Sequence, residues 1–225
     1  VVISLKKLTN VKINGTKVYA EAGIMMPVLV KMTIDNNLQG LEWASGIPGT
    51  LGGSILGNAG AYLHDIMEYV ESVDVLSTDL KILNIKKEDI SYDYRTSIFK
   101  ENKNYIILGA YLNLEKGNKE DSLNLVSDRL RRRIESQPLD MPSAGSVFRN
   151  PSKEMPAGKI IEELGFKGKR VGNAKVSEKH ANFIVNDNNA TSKDIINLIN
   201  TIKKEVLEKY NIDLICEQEI IDWNK

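Results

Sequence analysis

Cysteine and histidine are nearly missing from this chain: Cys216, His64 and His180 are the only ones in 225 residues. One thiol cannot close an internal disulfide, and two histidines far apart in sequence do not make a Cys/His zinc cage, so no metal site is expected. Net charge is missing as well. Thirty Lys plus Arg stand against 30 Asp plus Glu, for a formal charge of +0. There is then no global field to gather nucleic acid or an anionic membrane, and neither is expected as a partner. No apolar run approaches the roughly 18 residues of a spanning helix, and the opening Val1-Val2-Ile3-Ser4-Leu5 is too short for a signal-peptide core. The reading is cytoplasmic. Val rather than Met at position 1 points to a natural chain that starts earlier.

What is present is ordinary globular material, 42% apolar and 27% charged, enough for a real core in one or two domains. Val11 and Ile13 alternate toward Asn14-Gly15, and Val18, Ala20 and Ala22 alternate after it, which predicts a hairpin. Pro27 to Leu38 predicts a helix stopped near Gly40, and strands are expected at Val73 to Leu76, Lys81 to Ile85 and Tyr105 to Leu114. Leu123, Val126, Leu130 and Ile134 then recur at helical spacing, opposite Arg131, Arg132 and Arg133. A second helix is expected from about Ser192 to Tyr210, with Ile195, Ile199, Ile202 and Val206 on one face and a Thr191/Asp194 cap. Both helices are expected to pack on a sheet. Strands first and mixed units later give an α+β fold, with a boundary in the Pro-rich stretch Gln137 to Pro142.

The segment from Ser45 to Ala61 holds six glycines in 17 residues. Two readings fit it. Missing β-carbons let main-chain amides approach a pyrophosphate, aided by a short helix starting near Thr50; or the glycines serve only tight turns and close packing. No Gly-Lys-Ser/Thr follows and no Gly-x-Gly-x-x-Gly occurs there, so a P-loop or Rossmann site is excluded. Arg95, in Ser91 to Phe99, suits a bidentate carboxylate clamp or a surface ion pair. In Pro142 to Pro151, small neighbours leave the Ser146 hydroxyl reachable, and Arg149 and Asn150 suit an anion. Ser146 lies in no nucleophile elbow, which leaves hydrolysis weakly supported. Lys167 to His180 is a basic run, either an anion site or a solvated face. Leu214 to Ile221 reads as a last strand with Glu217 and Glu219 on one face.

In order, Gly46-Ile47-Pro48-Gly49-Thr50-Leu51-Gly52-Gly53 with Asn58-Ala59-Gly60-Ala61, Tyr92-Asp93-Tyr94-Arg95-Thr96-Ser97-Ile98-Phe99, Pro142 to Pro151, and Val176 to Asn186 resemble the UDP-N-acetylenolpyruvoylglucosamine reductases, the MurB family. The resemblance covers essentially the whole chain and matches the subgroup lacking a tyrosine-bearing loop. It implies an α+β flavin-binding subdomain of mixed sheet and helices over 1–136. A smaller α+β substrate-binding domain follows over 137–211, and a strand over 212–225 returns to the flavin domain. FAD is implied as cofactor, NADPH as co-substrate and a UDP-sugar as substrate, in a monomer. Ser146 is implied as proton donor, with Arg95 and Glu217 stabilising the enol-like intermediate. The family's Glu-Val-Arg/Lys ending stands here as Glu217-Gln218-Glu219, and spacing to Ile220-Ile221 selects Glu217.

The cofactor loop is implied to engage Gly46, Ile47, Pro48, Gly49, Thr50, Gly52, Gly53, Asn58, Gly60 and Ala61, and the substrate Arg149, Asn150 and Lys179. The family's N-terminal region, with its Gly-Ser-Asn turn, is absent from this sequence, so weak flavin binding or none, and no activity of this piece alone, are expected. Two other readings stand beside this one. An FAD-dependent oxidase of the same fold often attaches its flavin through His or Cys, and neither His64 nor Cys216 lies in the glycine-rich loop. A non-catalytic anion-binding module would use that loop and the Lys167 to Lys179 cluster.

Overall fold

In a computed structural model of the chain, residues 2–221 are described and divide into two compact units, 1–131 and 132–225. In the first unit the predicted hairpin forms from β1 (Val11–Asn14) and β2 (Lys17–Glu21), with Gly15 at φ 61 making the turn. Then come α1 (Met26–Asp35), β3 (Leu38–Gln39), α2 (Leu51–Leu56), β4 (Gly60–Ala61) and β5 (His64–Asp65). The remaining strands are β6 (Val70–Ser77), β7 (Ile82–Lys86), β8 (Tyr92–Asp93) and β9 (Thr96–Ser97), followed by α3 (Ile98–Glu101), β10 (Tyr105–Asn113) and β11 (Glu115–Lys116). The main sheet runs β1-β2-β10-β6-β7, antiparallel throughout.

Period-two alternation decides which face of that sheet is dry. Val18 and Ala20 of β2 and Ala110 and Leu112 of β10 point inward beside Val73 and Val75, against Leu29 and Val30 of α1 and Leu51 and Ile55 of α2. Tyr19 and Tyr111, opposite each other in register, take the outer face with ring centroids 4.8 Å apart. The stop of α1 is not at Gly40 as expected. Asn36 caps the helix and Asn37 takes the left-handed conformation at φ 55, because asparagine tolerates that region at little cost.

The unit boundary falls inside α4 (Lys119–Ser136), earlier than the Pro-rich stretch. The helix is where the periodicity put it, but its apolar stripe is not all buried. Val126 packs on the core, while Leu123, Leu130 and Ile134 are 46%, 37% and 59% exposed. What anchors the helix in the first unit is also polar: the buried Ser122 hydroxyl donates to Glu42 Oε1 at 2.7 Å.

The second unit holds β12 (Ser143–Ser146), α5 (Ala157–Glu163), β13 (Arg170–Val171), β14 (Ala174–Val176), β15 (Phe183–Asn186) and α6 (Ser192–Tyr210). Its sheet runs β12-β15-β14-β13. Ile199, Ile202 and Val206 of α6 are buried with Ile160, Ile161, Phe166 and Ile184, as the predicted stripe requires, with Ile195 half-buried against the same cluster. Residues 212–221 form no regular strand and belong to the second unit. Leu214 is buried in this second core, and a single bridge joins Cys216 to Phe148, beyond which the chain bends. Without a continuous ladder the period of two does not persist, so Glu217 and Glu219 do not share a strand face; residues 222–225 of that expectation lie outside the described residues. Among the described residues no helix is long and apolar enough to cross a membrane.

The α6 start is a reciprocal capping box: Asp194 N donates to Thr191 Oγ1 at 3.1 Å and Thr191 N to Asp194 Oδ2 at 2.9 Å. Those bonds from Thr191 hold the Asp194 carboxyl below its usual range. Its stabilising contribution is therefore present above the unfolded carboxyl pKa of about 4 and fades as pH falls through the lower folded value. Urea unfolding is expected to show Asp194→Asn less stable than the parent at pH 7, with the gap narrowing as pH drops below about 4; a gap independent of pH contradicts this.

Candidate functional site

In the first unit the glycine-rich segment is built around α2. Thr50 caps the helix, its Oγ1 accepting from Gly53 N at 3.3 Å. Leu51 N donates to Ile24 O and Gly52 N to Ala22 O, both at 2.9 Å, so these first amides are already used inside the unit. The helix start is therefore closed rather than presented to an anion, contrary to that part of the expectation. Gly52 is glycine for the same reason: a Cβ there would stand 2.9 Å from Ala22 Cβ. The loop ahead of the helix is different. Ser45 Oγ is buried with no hydrogen-bond partner among the described residues, and a Cβ at Gly49 would meet nothing within 4 Å.

The same unit ties Arg95 to this segment. Arg95 occupies the β8–β9 turn at φ 60, a left-handed conformation uncommon for a residue with a side chain. Its Nη2 donates to Gly60 O at 2.9 Å, and its guanidinium lies 5.2 Å from the Tyr94 ring centroid. Two further bonds fasten the turn. Asn58 Nδ2 donates to Asp93 O at 3.2 Å, and Ser97 Oγ to Leu56 O at 2.8 Å. Asn58, 3% exposed, also accepts from Met67 N through Oδ1. The structure thus gathers Arg95, Asn58, Gly60 and Ala61 around one backbone junction, with Gly46, Ile47, Pro48, Gly49, Thr50, Gly52 and Gly53 on the loop and helix that lead into it.

The second unit holds Ser146, Arg149, Asn150, Lys179 and Glu217. Ser146 ends β12, paired with Phe183 across an irregularity at Gly145, which stands at φ 80. Glu217 N donates to Val147 O at 2.8 Å and Arg149 N to Ile215 O at 2.9 Å, so Glu217 sits opposite the neighbour of Ser146. Glu217 is half-buried, whereas Glu219 is exposed. Arg149 Nε is buried without a hydrogen-bond partner among the described residues. Asn150 Oδ1 accepts from Ala157 N at 3.0 Å, at the start of α5, and Lys179 Nζ donates to Ile134 O at 2.9 Å.

The basic run is not an open anion surface. Lys167 pairs with Glu162 at 2.6 Å, Lys169 with Glu205 at 3.8 Å and Lys175 with Glu178 at 2.7 Å, and Arg170 pairs with Asp187. Those pairs occupy four of the basic side chains on which the anion-module reading drew. His180 is structural in its contacts: Nδ1 accepts from Asn182 N at 3.2 Å, and burial together with nearby Lys167 pushes its pKa down. Sequence reasoning passed over two residues, the orphaned Ser45 hydroxyl and Asn182. Asn182 stands inside a motif already quoted, but a buried carboxamide has no periodic signature that would single it out.

A family model described as UDP-N-acetylenolpyruvoylglucosamine reductase, C-terminal domain, matches residues 137–221, and one described as FAD binding domain matches residues 1–86. The UDP-N-acetylenolpyruvoylglucosamine reductase of Caldanaerobacter subterraneus subsp. tengcongensis is 46% identical over 221 residues, covering 98% of this chain and 72% of that protein. The reductase of Thermotoga sp. (strain RQ2) is 45% identical over 223 residues, covering 99% and 73%. The crystal structure of the reductase from Thermus caldophilus superposes with a TM-score of 0.79 at 32% identity, over 97% of this chain and 73% of that one.

The glycines of the loop are expected to behave unequally. A Cβ at Gly60 would lie 2.5 Å from His64 O, a backbone atom that cannot step aside. Gly60→Ala is expected to cost about 1–3 kcal/mol by overpacking. Gly49→Ala, with open space at its Cβ, is expected to stay within about 0.5 kcal/mol of the parent in chemical unfolding. Equal losses at the two positions contradict this.

Proposed function

The chain belongs to the UDP-N-acetylenolpyruvoylglucosamine reductase family, and we propose that it takes part in the NADPH-dependent reduction of the enolpyruvyl ether of a UDP-N-acetylglucosamine enolpyruvate to the lactyl ether of UDP-N-acetylmuramate. It is an enzyme of the FAD-containing oxidoreductase class, acting in peptidoglycan precursor synthesis, as a monomer in the cytoplasm. The loop fits the cofactor. A buried hydroxyl without a partner at Ser45 and open space at the Gly49 Cβ are what a bound pyrophosphate would use, and Ser45 with the Gly46–Gly49 main chain would hold it. When bound, FAD would supply the hydride transfer between NADPH and the vinyl carbon of the substrate.

The remaining steps belong to the chain's own side chains. Hydride addition beside the substrate carboxylate builds negative charge, and Arg95 supplies the fixed cation that meets it. A serine hydroxyl is a weak acid, so Ser146 can protonate only a strongly basic carbon already within reach; placement rather than acidity selects it. Glu217 assists at the same centre. Arg149, with its buried Nε lacking a hydrogen-bond partner among the described residues, Asn150 and Lys179 take the anionic nucleotide sugar. For Lys179 this requires its ammonium to leave the Ile134 carbonyl.

The single observation that supports the reading is the bond from Glu217 N to Val147 O, which brings the Glu217 backbone beside the residue that follows Ser146. In flavin-loaded protein, Ser146→Ala is expected to slow turnover by about 10²–10⁴-fold, the usual worth of a positioned general acid. Flavin absorbance and its bleaching by NADPH are expected to persist. Normal turnover in Ser146→Ala sinks the assignment. Gly49→Ala, stable as argued above, is expected to release flavin more readily in equilibrium dialysis than the parent does; unchanged retention argues against the loop as the cofactor site.

A further inference from the structure

We propose that Asn182 is a positioning residue for proton delivery, its carboxamide standing in for missing strand backbone opposite Phe148. This rests on the reading of Ser146 and Glu217 given above. The ladder between β12 and β15 reaches Ser146 and Phe183 and continues one bond further, Val147 N donating to Asn182 O at 2.9 Å. Beyond that point the chain ahead of β15 turns away, with Ser177 Oγ accepting from Lys179 N at 3.1 Å and His180 N at 3.4 Å. Among the described residues no main chain pairs with Phe148 on that side, its bridge to Cys216 lying on the opposite flank.

The Asn182 side chain takes that place. Its Oδ1 accepts from Phe148 N at 3.0 Å and its Nδ2 donates to Phe148 O at 2.8 Å, the donor and acceptor pair a facing residue would have offered. Asn182 is 4% exposed and Phe148 1%, so both bonds are shielded from water. Its own N donates to His180 Nδ1, and burial pushes the pKa of that imidazole down. On the other flank Val147 O accepts from Glu217 N and Arg149 N donates to Ile215 O. Both polar groups of Val147 and both of Phe148 are thereby bound, Phe148 by one side chain alone. Ser146 is one peptide from this clamp and Glu217 one hydrogen bond from it, so the clamp sets the position of both.

The chemistry demands asparagine. Aspartate offers two acceptors and faces the Phe148 carbonyl with an oxygen, glutamine is a methylene too long, and alanine leaves both Phe148 groups buried and unpaired. Neither touches substrate in this account, so the test must separate positioning from simple stability. In flavin-loaded Asn182→Ala and Asn182→Asp, stopped-flow flavin reduction by NADPH is expected at the parental rate. Flavin reoxidation by UDP-N-acetylglucosamine enolpyruvate is expected to fall about 10²-fold, as small displacements of reacting groups do. Independently of activity, amide hydrogen exchange in peptides spanning 147–149 and 215–217 is expected to accelerate at least about fivefold, the worth of one lost hydrogen bond. Exchange in α6 is expected to stay unchanged.

Parental reoxidation in both variants overturns the proposal, as does a parallel fall of both half-reactions, or exchange that loosens α6 equally. Failure of both variants to fold also overturns it, in favour of a purely structural role. Failure of the underlying reading looks different: Ser146→Ala then turns over normally, whatever the Asn182 variants do.

Discussion

A buried carboxamide in each unit holds backbone that has left the regular ladders. In the first, Asn58 joins the Asp93 carbonyl to the Met67 amide; in the second, Asn182 joins both polar groups of Phe148. The site segments depend on these bonds because they cannot be regular. Arg95 sits at a positive φ and Gly145 breaks the pairing of β12, and such backbone exposes amides and carbonyls that a strand would have satisfied. Leaving one of those groups buried and unpaired costs about 1–3 kcal/mol, more than a typical net hydrogen bond returns. Carboxamides are suited to the task because one side chain carries a donor and an acceptor at fixed separation.

Around those junctions the cores do conventional work. The sheet of the first unit offers one dry face to α1 and α2, and the second unit covers its sheet with α5 and α6. Close approach is the recurring constraint. Gly52 lets α2 lie against Ala22, and Gly60 lets β4 meet β5 at His64 and Asp65. Glycine in this loop therefore serves close packing at Gly52 and Gly60, while Gly49 keeps an open face.

Electrostatics plays a smaller part than the charge pattern suggests. The run from Lys167 to Lys175 looks like a basic patch in sequence, yet carboxylates distant in the chain, Glu205 and Asp187 among them, neutralise it. Exposed pairs of this kind contribute little to stability. Arg149, with its Nε buried and without a hydrogen-bond partner among the described residues, is the more telling basic residue of that unit.

Local rules read directly from residue order settled the hairpin at Gly15, α6 with its Thr191/Asp194 box, the glycine-rich segment and the ordered motifs, because turn chemistry, periodicity and caps act within a few residues. What the sequence did not disclose depends on partners far away in the chain: the closed start of α2 against Ala22 and Ile24, the exposure of Leu130 and Ile134 on a helix whose stripe looked buried, the docking of Leu214 and Cys216 on the second unit, and the clamp of Asn182 on Phe148. A side chain's hydrogen-bond partner is chosen only when distant segments meet, and no spacing along one segment encodes that meeting.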